Sequence, residues 1–234
     1  MSSFEKYYVE RLYPLQDGVM SIINKLNTPF FLTGGTALSR HYFDHRYSDD
    51  LDLFVANDKK YQEWIERIFE ALFAAEQQGA FVIERSTVKR LKEFTQVFVS
   101  TPEDPEQLLK IDFVNDVAAH YGAFEKHDLL GIVDSWRNIL SNKISALFRF
   151  EPKDVADIWT ISKNKSFNWR DVLGEAKTKE AGVEPDIVYN IIRSFPIEKF
   201  GVIRWTRQPE AQKVKNDLDA IADDIFYGRN NSLA

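Results

Sequence analysis

The sequence predicts an α+β fold that is followed by an α-helical C-terminal domain. Up to about residue 125, helical stretches mix with short runs rich in β-branched and aromatic residues, whereas nearly everything beyond them is predicted to be helical. The chain has no internal repeat, low-complexity tract or Gly/Ser linker, so only this change in periodicity marks a boundary. We therefore expect an α+β domain over 1–125 and a helical domain over 126–234.

Hydrophobic spacing predicts the elements of the first half. A helix over 5–26 carries Leu12, Leu15 and Val19 on one stripe, with Pro14 in or near a first turn. The other predicted elements are a strand at 30–32, a helix over 36–43, a strand over 51–56, a helix over 59–75, and strands over 81–86, 94–100 and 108–114. A basic hairpin connection over 87–92 joins the first two of those last three strands.

The second half is predicted to consist of helices. Their expected ranges are 134–149, 153–163, 169–178, 185–195 and 209–227.

Composition and charge exclude several classes of protein. The chain of 234 residues has no Cys, which excludes disulfides, thiolate metal sites and a cysteine nucleophile. Asp and Glu number 36 against 30 Lys and Arg, and a net charge of −6 is not the bulk signature of a nucleic-acid-binding protein. No signal peptide is visible, and no apolar run approaches the roughly 20 residues of a membrane span. We expect a soluble cytoplasmic protein without membrane contact.

Gly34 and Gly35 stand between a predicted strand and a predicted helix. Backbone N–H groups at the start of a helix can approach a phosphate closely where no Cβ intervenes. On its own, however, the pair is more typical of a tight strand-to-helix turn.

Three aspartates are predicted to share one face of a sheet. The run from Asp50 to Leu53 alternates, so a strand places Asp50 and Asp52 on one face and Leu51 and Leu53 on the other. Asp112 has the same setting in the strand predicted over 108–114. Carboxylates on adjacent strands repel one another unless divalent cations lie between them. The pattern predicts a site for two Mg²⁺ (or Mn²⁺) ions roughly 4 Å apart that bind a nucleoside triphosphate.

The order of these motifs resembles the DNA polymerase β-type nucleotidyltransferase superfamily. The runs Gly34-Gly-Thr-Ala-Leu and Arg46-x-Ser48-x-Asp50-Leu-Asp52-Leu are similar to the AbiEii/AbiGii toxin family of nucleotidyltransferases. The resemblance covers roughly residues 30 to 160 and implies a polymerase β-like domain with a mixed β-sheet flanked by helices. It implies that the turn of Gly34 and Gly35 holds the triphosphate and that Asp50, Asp52 and Asp112 hold the metal ions. Thr36 and Ser48 are further candidates for nucleotide binding.

The helical half contains a second match to the same family. Lys143 and Arg149, followed by Lys153, Asp154 and Asp157, resemble its later motifs. The resemblance implies that Lys143 binds and neutralises the triphosphate and that Asp154 orients Lys143 or a substrate hydroxyl. The same residues could instead form a salt bridge between consecutive helices and cap the second of them.

Several neighbouring residues allow two interpretations. Ser48 could cap the turn before the aspartates or touch a phosphate. Arg40 and Arg46 could contact a nucleotide or a polyanionic acceptor, or pair with a nearby carboxylate. His41 and His45 have the i, i+4 spacing used by zinc sites, but no Glu stands between them, so zinc is not favoured.

Two groups of basic residues could follow an RNA backbone or form a solvated surface. They are Arg85, Lys89, Arg90 and Lys92, and Lys163, Lys165, Arg170, Lys177 and Lys179.

We therefore expect a nucleotidyltransferase that moves a nucleoside monophosphate from an NTP to an acceptor hydroxyl. The resemblance implies a toxin of a toxin–antitoxin or abortive-infection system, with a cognate antitoxin as partner and a tRNA 3′ end or other RNA as one acceptor. An acceptor on a protein, or a small molecule such as an aminoglycoside, stays open. So does a regulator that binds nucleotide without turning it over.

Overall fold

The computed structural model describes residues 3–234, which form two compact units. The first unit comprises residues 3–37, 48–117 and 124–134, and the second comprises 38–47, 118–123 and 135–234. Both units are discontinuous in sequence, whereas the sequence predicts one boundary between 125 and 126. A division into domains at that boundary stays a prediction.

The first unit is built on an eight-stranded sheet. Its strands are β1 (Phe31–Thr33), β2 (Leu51–Ala56), β3 (Val82–Ile83), β4 (Lys89–Arg90), β5 (Phe94–Thr101), β6 (Asp104–Asp116), β7 (Glu125–His127) and β8 (Gly131–Val133). The hydrogen-bonded order is β3-β5-β6-β2-β1-β8-β7, and β4 pairs with β5. Because β2 is antiparallel to β1 and parallel to β6, the sheet is mixed.

The first unit also contains helices. They are α1 (Ser3–Tyr7), α2 (Tyr13–Lys25), α3 (Gly34–Ala37) and α4 (Tyr61–Gln77). A π-helical turn, Tyr8–Leu12, joins α1 to α2, so Pro14 lies in the first turn of a continuing helix. Tyr61 of α4 is buried, and its hydroxyl donates to the main-chain carbonyl of Phe113 at 2.9 Å.

The alternation predicted for β2 is confirmed. Leu51, Leu53 and Val55 are fully buried, whereas Asp52 and Phe54 are only half-buried on the opposite face. Burial of the aliphatic side chains fixes which way the strand faces, since a slip of one residue would bury the carboxylates.

The β7–β8 hairpin is a feature that the sequence analysis did not predict. Glu125–His127 has no apolar alternation, and the hairpin is held instead by the parallel pairing of Val133 with Leu32 of β1. The strand predicted over 81–86 is shorter than expected, because a 3₁₀ turn begins at Arg85.

The second unit is helical, as predicted. Its helices are α5 (Trp136–Ser145), α6 (Pro152–Asn164), α7 (Trp169–Lys177), α8 (Pro185–Arg193) and α9 (Ala211–Tyr227), with a π-helical turn at Leu38–Phe43. The Ser135 hydroxyl caps α5 by accepting the N–H of Asn138 at 3.0 Å. Within residues 3–234, none of the helices combines the length and the apolar character needed to cross a bilayer.

Candidate active site

Asp52 and Asp112 lie side by side in the sheet of the first unit. In the parallel β2–β6 pair, Asp52 is the register partner of Asp112. On its other side, Asp52 is the register partner of Thr33 in β1. Register partners on neighbouring strands point to the same face of a sheet. The structure therefore brings together two of the three predicted metal ligands on one face.

Asp50 is linked to Asp112 by Lys110, to which the sequence analysis gave no role. The Lys110 ammonium lies 3.1 Å from Asp50 Oδ2 and 3.0 Å from Asp112 Oδ2. Burial alone would lower the pKa of Lys110, but the two carboxylates outweigh burial and raise this pKa above its ordinary value. A single ammonium thus compensates part of the negative charge on this face.

Asp112 is oriented at both of its oxygens. Gln96 of β5, its register partner, donates from Nε2 to Asp112 Oδ1 at 2.7 Å, while Lys110 holds Oδ2. The side chain of Asp112 is 13% exposed, compared with 43% for Asp50. Asp112 is therefore the fixed member of the pair, and Asp50 is the accessible one.

The paired glycines lie directly against Asp52. Gly34 has a φ of +68°, and a Cβ there would be 2.5 Å from Asp52 Oδ2. Only glycine satisfies both the left-handed backbone and this close approach. Gly35 is buried in the first turn of α3. Gly34 therefore lies next to the carboxylate face, by which we mean Asp50, Asp52 and Asp112. The binding of a triphosphate there stays a prediction.

Thr36 and Ser48 brace the chain before Asp50. The Thr36 hydroxyl lies 2.9 Å from Ser48 Oγ and also bonds to the main-chain carbonyl of Asp50. Because a hydroxyl carries one proton, Thr36 donates to the carbonyl and accepts from Ser48. Both side chains are buried. This arrangement favours the structural interpretation of Ser48, and a nucleotide contact by either residue stays a prediction.

The carboxylate face suits a divalent cation, although Lys110 lies where the cation would bind. Among residues 3–234, no three His, Asp or Glu side chains are arranged to hold a metal ion. Asp50 and Asp112 nonetheless converge on the Lys110 ammonium, which is a cation held by carboxylate oxygens. Oxygen donors of this kind are those that Mg²⁺ and Mn²⁺ prefer. The donor set fits such an ion, and metal dependence stays a prediction.

Lys143 and Asp154 meet in the second unit. The Lys143 Nζ is 2.8 Å from Asp154 Oδ1 and 2.8 Å from Asp157 Oδ2, and Arg149 donates to Asp154 Oδ2 at 2.8 Å. Burial alone would lower the pKa of Lys143, but Asp157 and Asp154 raise it above its ordinary value. The lysine therefore stays charged. Both the orienting role of Asp154 and the interhelical salt bridge are consistent with these contacts.

Asp157 is the centre of a buried cluster that the sequence analysis missed. Arg46 donates to it from Nε at 2.7 Å and from Nη2 at 2.8 Å, and His45 Nε2 lies 2.9 Å from Oδ1. Burial alone would raise the pKa of Asp157, but Arg46 and Lys143 hold it well below its ordinary value. Arg46 is 2% exposed, and its carboxylate partner Asp157 lies 111 positions away in the sequence.

Many of the basic residues considered for RNA binding have partners within the protein. The ion pairs are Arg85 with Glu76, Arg90 with Glu66, Lys92 with Glu93 and Lys177 with Glu184. These pairs favour the solvated-surface interpretation. An RNA-binding role stays a prediction.

The role of Lys110 and the pairing of Arg46 with Asp157 were both missed, and they differ in how well the sequence signals them. Lys110 and Asp112 are two apart in one predicted strand, a spacing that places both on the same face. The pairing of Arg46 with Asp157 joins residues that are 111 positions apart, and no local pattern marks it.

A protein-family model matches residues 21–231 and describes a nucleotidyl transferase AbiEii toxin of a type IV toxin–antitoxin system. No curated protein sequence matches the chain.

Solved structures show the same fold. The chain resembles JHP933 from Helicobacter pylori at 19% identity and a TM-score of 0.60, covering 92% of this chain and 90% of that one. A second H. pylori protein, described as a nucleotidyltransferase, is 17% identical with a TM-score of 0.62, covering 94% and 96%. MenT4, a nucleotidyltransferase toxin from Mycobacterium tuberculosis H37Rv, is 15% identical with a TM-score of 0.57, covering 91% and 85%. These likenesses confirm the predicted fold class.

Proposed function

Because this chain belongs to the AbiEii family of nucleotidyl transferase toxins, it is a nucleotidyltransferase, and we propose that it moves a nucleoside monophosphate from an NTP to an acceptor hydroxyl. The observation that carries this proposal is the carboxylate face on which Asp52 and Asp112 are register partners. The acceptor oxygen forms a bond to the α-phosphorus as the bond to the pyrophosphate oxygen breaks. The acceptor proton passes to Asp112, and pyrophosphate leaves.

We propose that Asp50, Asp52 and Asp112 hold Mg²⁺ or Mn²⁺. When bound, such an ion offsets the charge of the phosphates and makes the attacking hydroxyl more acidic. The chain contributes prior orientation, since Gln96 fixes one oxygen of Asp112 and Gly34 leaves space for Asp52. Orientation before binding lowers the barrier, because little has to reorganise during the reaction.

For the triphosphate we propose the residues that the family resemblance implies. Gly34 and Gly35 supply a turn without side chains, supported by Thr36 and Ser48. An ammonium has three N–H donors, and Lys143 uses two of them on Asp154 and Asp157. We propose that its third donor serves a phosphate oxygen, while Asp154 keeps the ammonium oriented.

We propose an RNA 3′ hydroxyl, such as that of tRNA, as the acceptor and a cognate antitoxin as the protein partner. Both proposals follow from the resemblance to the toxin family. A reaction that consumes NTPs requires a compartment that contains them, so we propose that the protein works in the cytoplasm.

The test is transfer of label from each of the four α-³²P-NTPs into total RNA or total protein, with Mg²⁺ or Mn²⁺. Asp52→Asn removes one carboxylate of the face. Asp128→Asn is the matched control, because it removes an exposed carboxylate from the turn between β7 and β8. We expect labelled RNA with the wild type and with Asp128→Asn, and a loss of roughly 100-fold or more with Asp52→Asn.

Three other results would count against parts of the proposal. Label in protein alone would replace the RNA acceptor with a protein hydroxyl. Nucleotide binding without label in either pool, and without pyrophosphate release, would favour a regulator that binds nucleotide without turning it over. Full activity of Asp52→Asn would reject the carboxylate face as the active site.

A further inference from the structure

Lys110 occupies the position at which two candidate metal ligands converge. Its ammonium is shared by Asp50 Oδ2 at 3.1 Å and Asp112 Oδ2 at 3.0 Å. Lys110 and Asp112 belong to the same strand and the same face, so the position of the lysine is fixed by the sheet that also carries the carboxylates.

The electrostatic situation of this face explains why a cation is held there. Asp50, Asp52 and Asp112 bring three carboxylates onto neighbouring strand positions, and Lys110 contributes one positive charge. Asp50 and Asp112 each lie within 3.1 Å of the same ammonium, and carboxylates that close repel one another strongly when they are partly shielded from water. An ammonium between two of the carboxylates lowers that repulsion, as a divalent ion would.

We propose that Lys110 is a built-in counter-cation that a divalent metal ion must displace, so that this lysine sets the affinity of the carboxylates for metal. The inference rests on the proposed function only in taking Asp50 and Asp112 as metal ligands. It assigns to Lys110 a role that is separate from contact with either substrate.

Displacement requires only a small rearrangement. The Lys110 side chain is 29% exposed, and its flexible four-carbon stem allows the ammonium to turn toward solvent. Asp50 is more exposed still, so a metal ion can approach from that side. Asp112 keeps its bond from Gln96 at Oδ1 while Oδ2 changes partner.

The test compares Mn²⁺ binding to the wild type, Lys110→Met and Lys126→Met, measured as loss of the free Mn²⁺ signal in electron paramagnetic resonance. Lys126→Met is the matched control, because it removes the same charge from an exposed position on β7, at the other end of the sheet. We expect Lys110→Met to bind Mn²⁺ roughly tenfold more tightly or better, and Lys126→Met to match the wild type. Circular dichroism establishes that each variant is folded.

A second measurement uses the wild type and does not depend on the folding of a variant. The rate at which acetic anhydride acetylates Lys110, followed by peptide mass spectrometry, is compared with and without saturating Mn²⁺. An ammonium released from two carboxylates is more accessible, so we expect faster acetylation of Lys110 with metal. The rate at Lys126 serves as the internal reference.

The inference is overturned if Lys110→Met binds Mn²⁺ no more tightly than the wild type, or if Lys126→Met gains as much affinity. It is also overturned if neither protein binds the ion, or if metal leaves the acetylation of Lys110 unchanged. Tighter binding by Lys110→Met in a protein that transfers no label from NTPs would support the inference while rejecting the proposed function.

Discussion

The charged clusters of the two units differ in how completely their carboxylates are bonded. In the second unit, Asp157 is fully buried and accepts contacts from Arg46, His45 and Lys143 at both of its oxygens. In the first unit, one ammonium is shared by two carboxylates, and Asp50 remains 43% exposed. A carboxylate that is buried and bonded at both oxygens is fixed in the fold, whereas the partly exposed Asp50 can exchange one cation for another. We therefore expect the cluster around Asp157 to contribute to stability and the carboxylates around Lys110 to contribute to activity.

The largest expected effect on stability is that of Asp157→Asn. It leaves Arg46 and Lys143 buried with one charged partner fewer, so we expect the free energy of unfolding to fall by about 3–5 kcal/mol. Urea denaturation at pH 7, followed by circular dichroism, measures this change. Asp217→Asn is the control, since Asp217 is also buried but bonds to Trp159 and the exposed Lys213. A loss below about 1 kcal/mol for Asp157→Asn would remove the contrast between the clusters.

The next effect is expected from Gly34→Ala. The new Cβ would meet Asp52 Oδ2, and the left-handed backbone disfavours alanine, so we expect a loss of about 1–3 kcal/mol together with reduced NMP transfer. Gly174→Ala provides the opposite case, because Gly174 lies within α7 and has open space around it. There we expect a gain of about 0.5–1 kcal/mol. Equal effects at the two positions would contradict the packing described for Gly34.

A smaller effect on stability is expected from Asp112→Asn. Its carboxylate is partly exposed and shares its cation with Asp50, so removing it also relieves repulsion. We expect the free energy of unfolding to change by less than about 1 kcal/mol, while NMP transfer is lost. The same urea titration, combined with the labelling assay, tests both parts. A destabilisation as large as that of Asp157→Asn would show that the two clusters are equally structural.

The smallest effect concerns His45 and is confined to acid pH. Burial lowers the pKa of His45 below its ordinary value of 6.5. A depressed folded pKa gives stability that is present above the unfolded pKa and is lost as pH falls through the folded value. We therefore expect the wild type to lose thermal stability as pH falls below 6.5, and His45→Gln to lose less. His127→Gln, in the first unit, controls for loss of an imidazole; an identical profile there would contradict this assignment.

Hydrophobic alternation made part of the fold predictable from the sequence. The predicted strand over 51–56 has the bounds of β2, because the aliphatic residues Leu51, Leu53 and Val55 stand at every second position. The β7–β8 hairpin escaped prediction, because Glu125–His127 depends on a neighbouring strand rather than on its own side chains. Period-2 patterns report burial on one face, and strands without a buried face give no such signal.

The candidate site was also predictable only in part, namely where it depends on strand periodicity. The common face of Asp52 and Asp112 follows from strand periodicity, and the structure pairs them in register. The burial of Arg46 was not foreseeable, since arginines are mostly exposed and its partner Asp157 is distant in sequence. Contacts of this kind are created by tertiary folding and leave no trace in local spacing.

The parallel pairing of β2 with β6 has a consequence for the synthesis of the protein. The two strands are neighbours in the sheet, although α4 and β3–β5 lie between them in the chain. Contacts between segments so far apart form late, because the intervening loop must close first. A nascent chain that ends before β6 contains Asp50 and Asp52 but lacks Asp112 and Lys110. A ribosome that makes this chain therefore presents an incomplete carboxylate face until β6 has emerged from the exit tunnel.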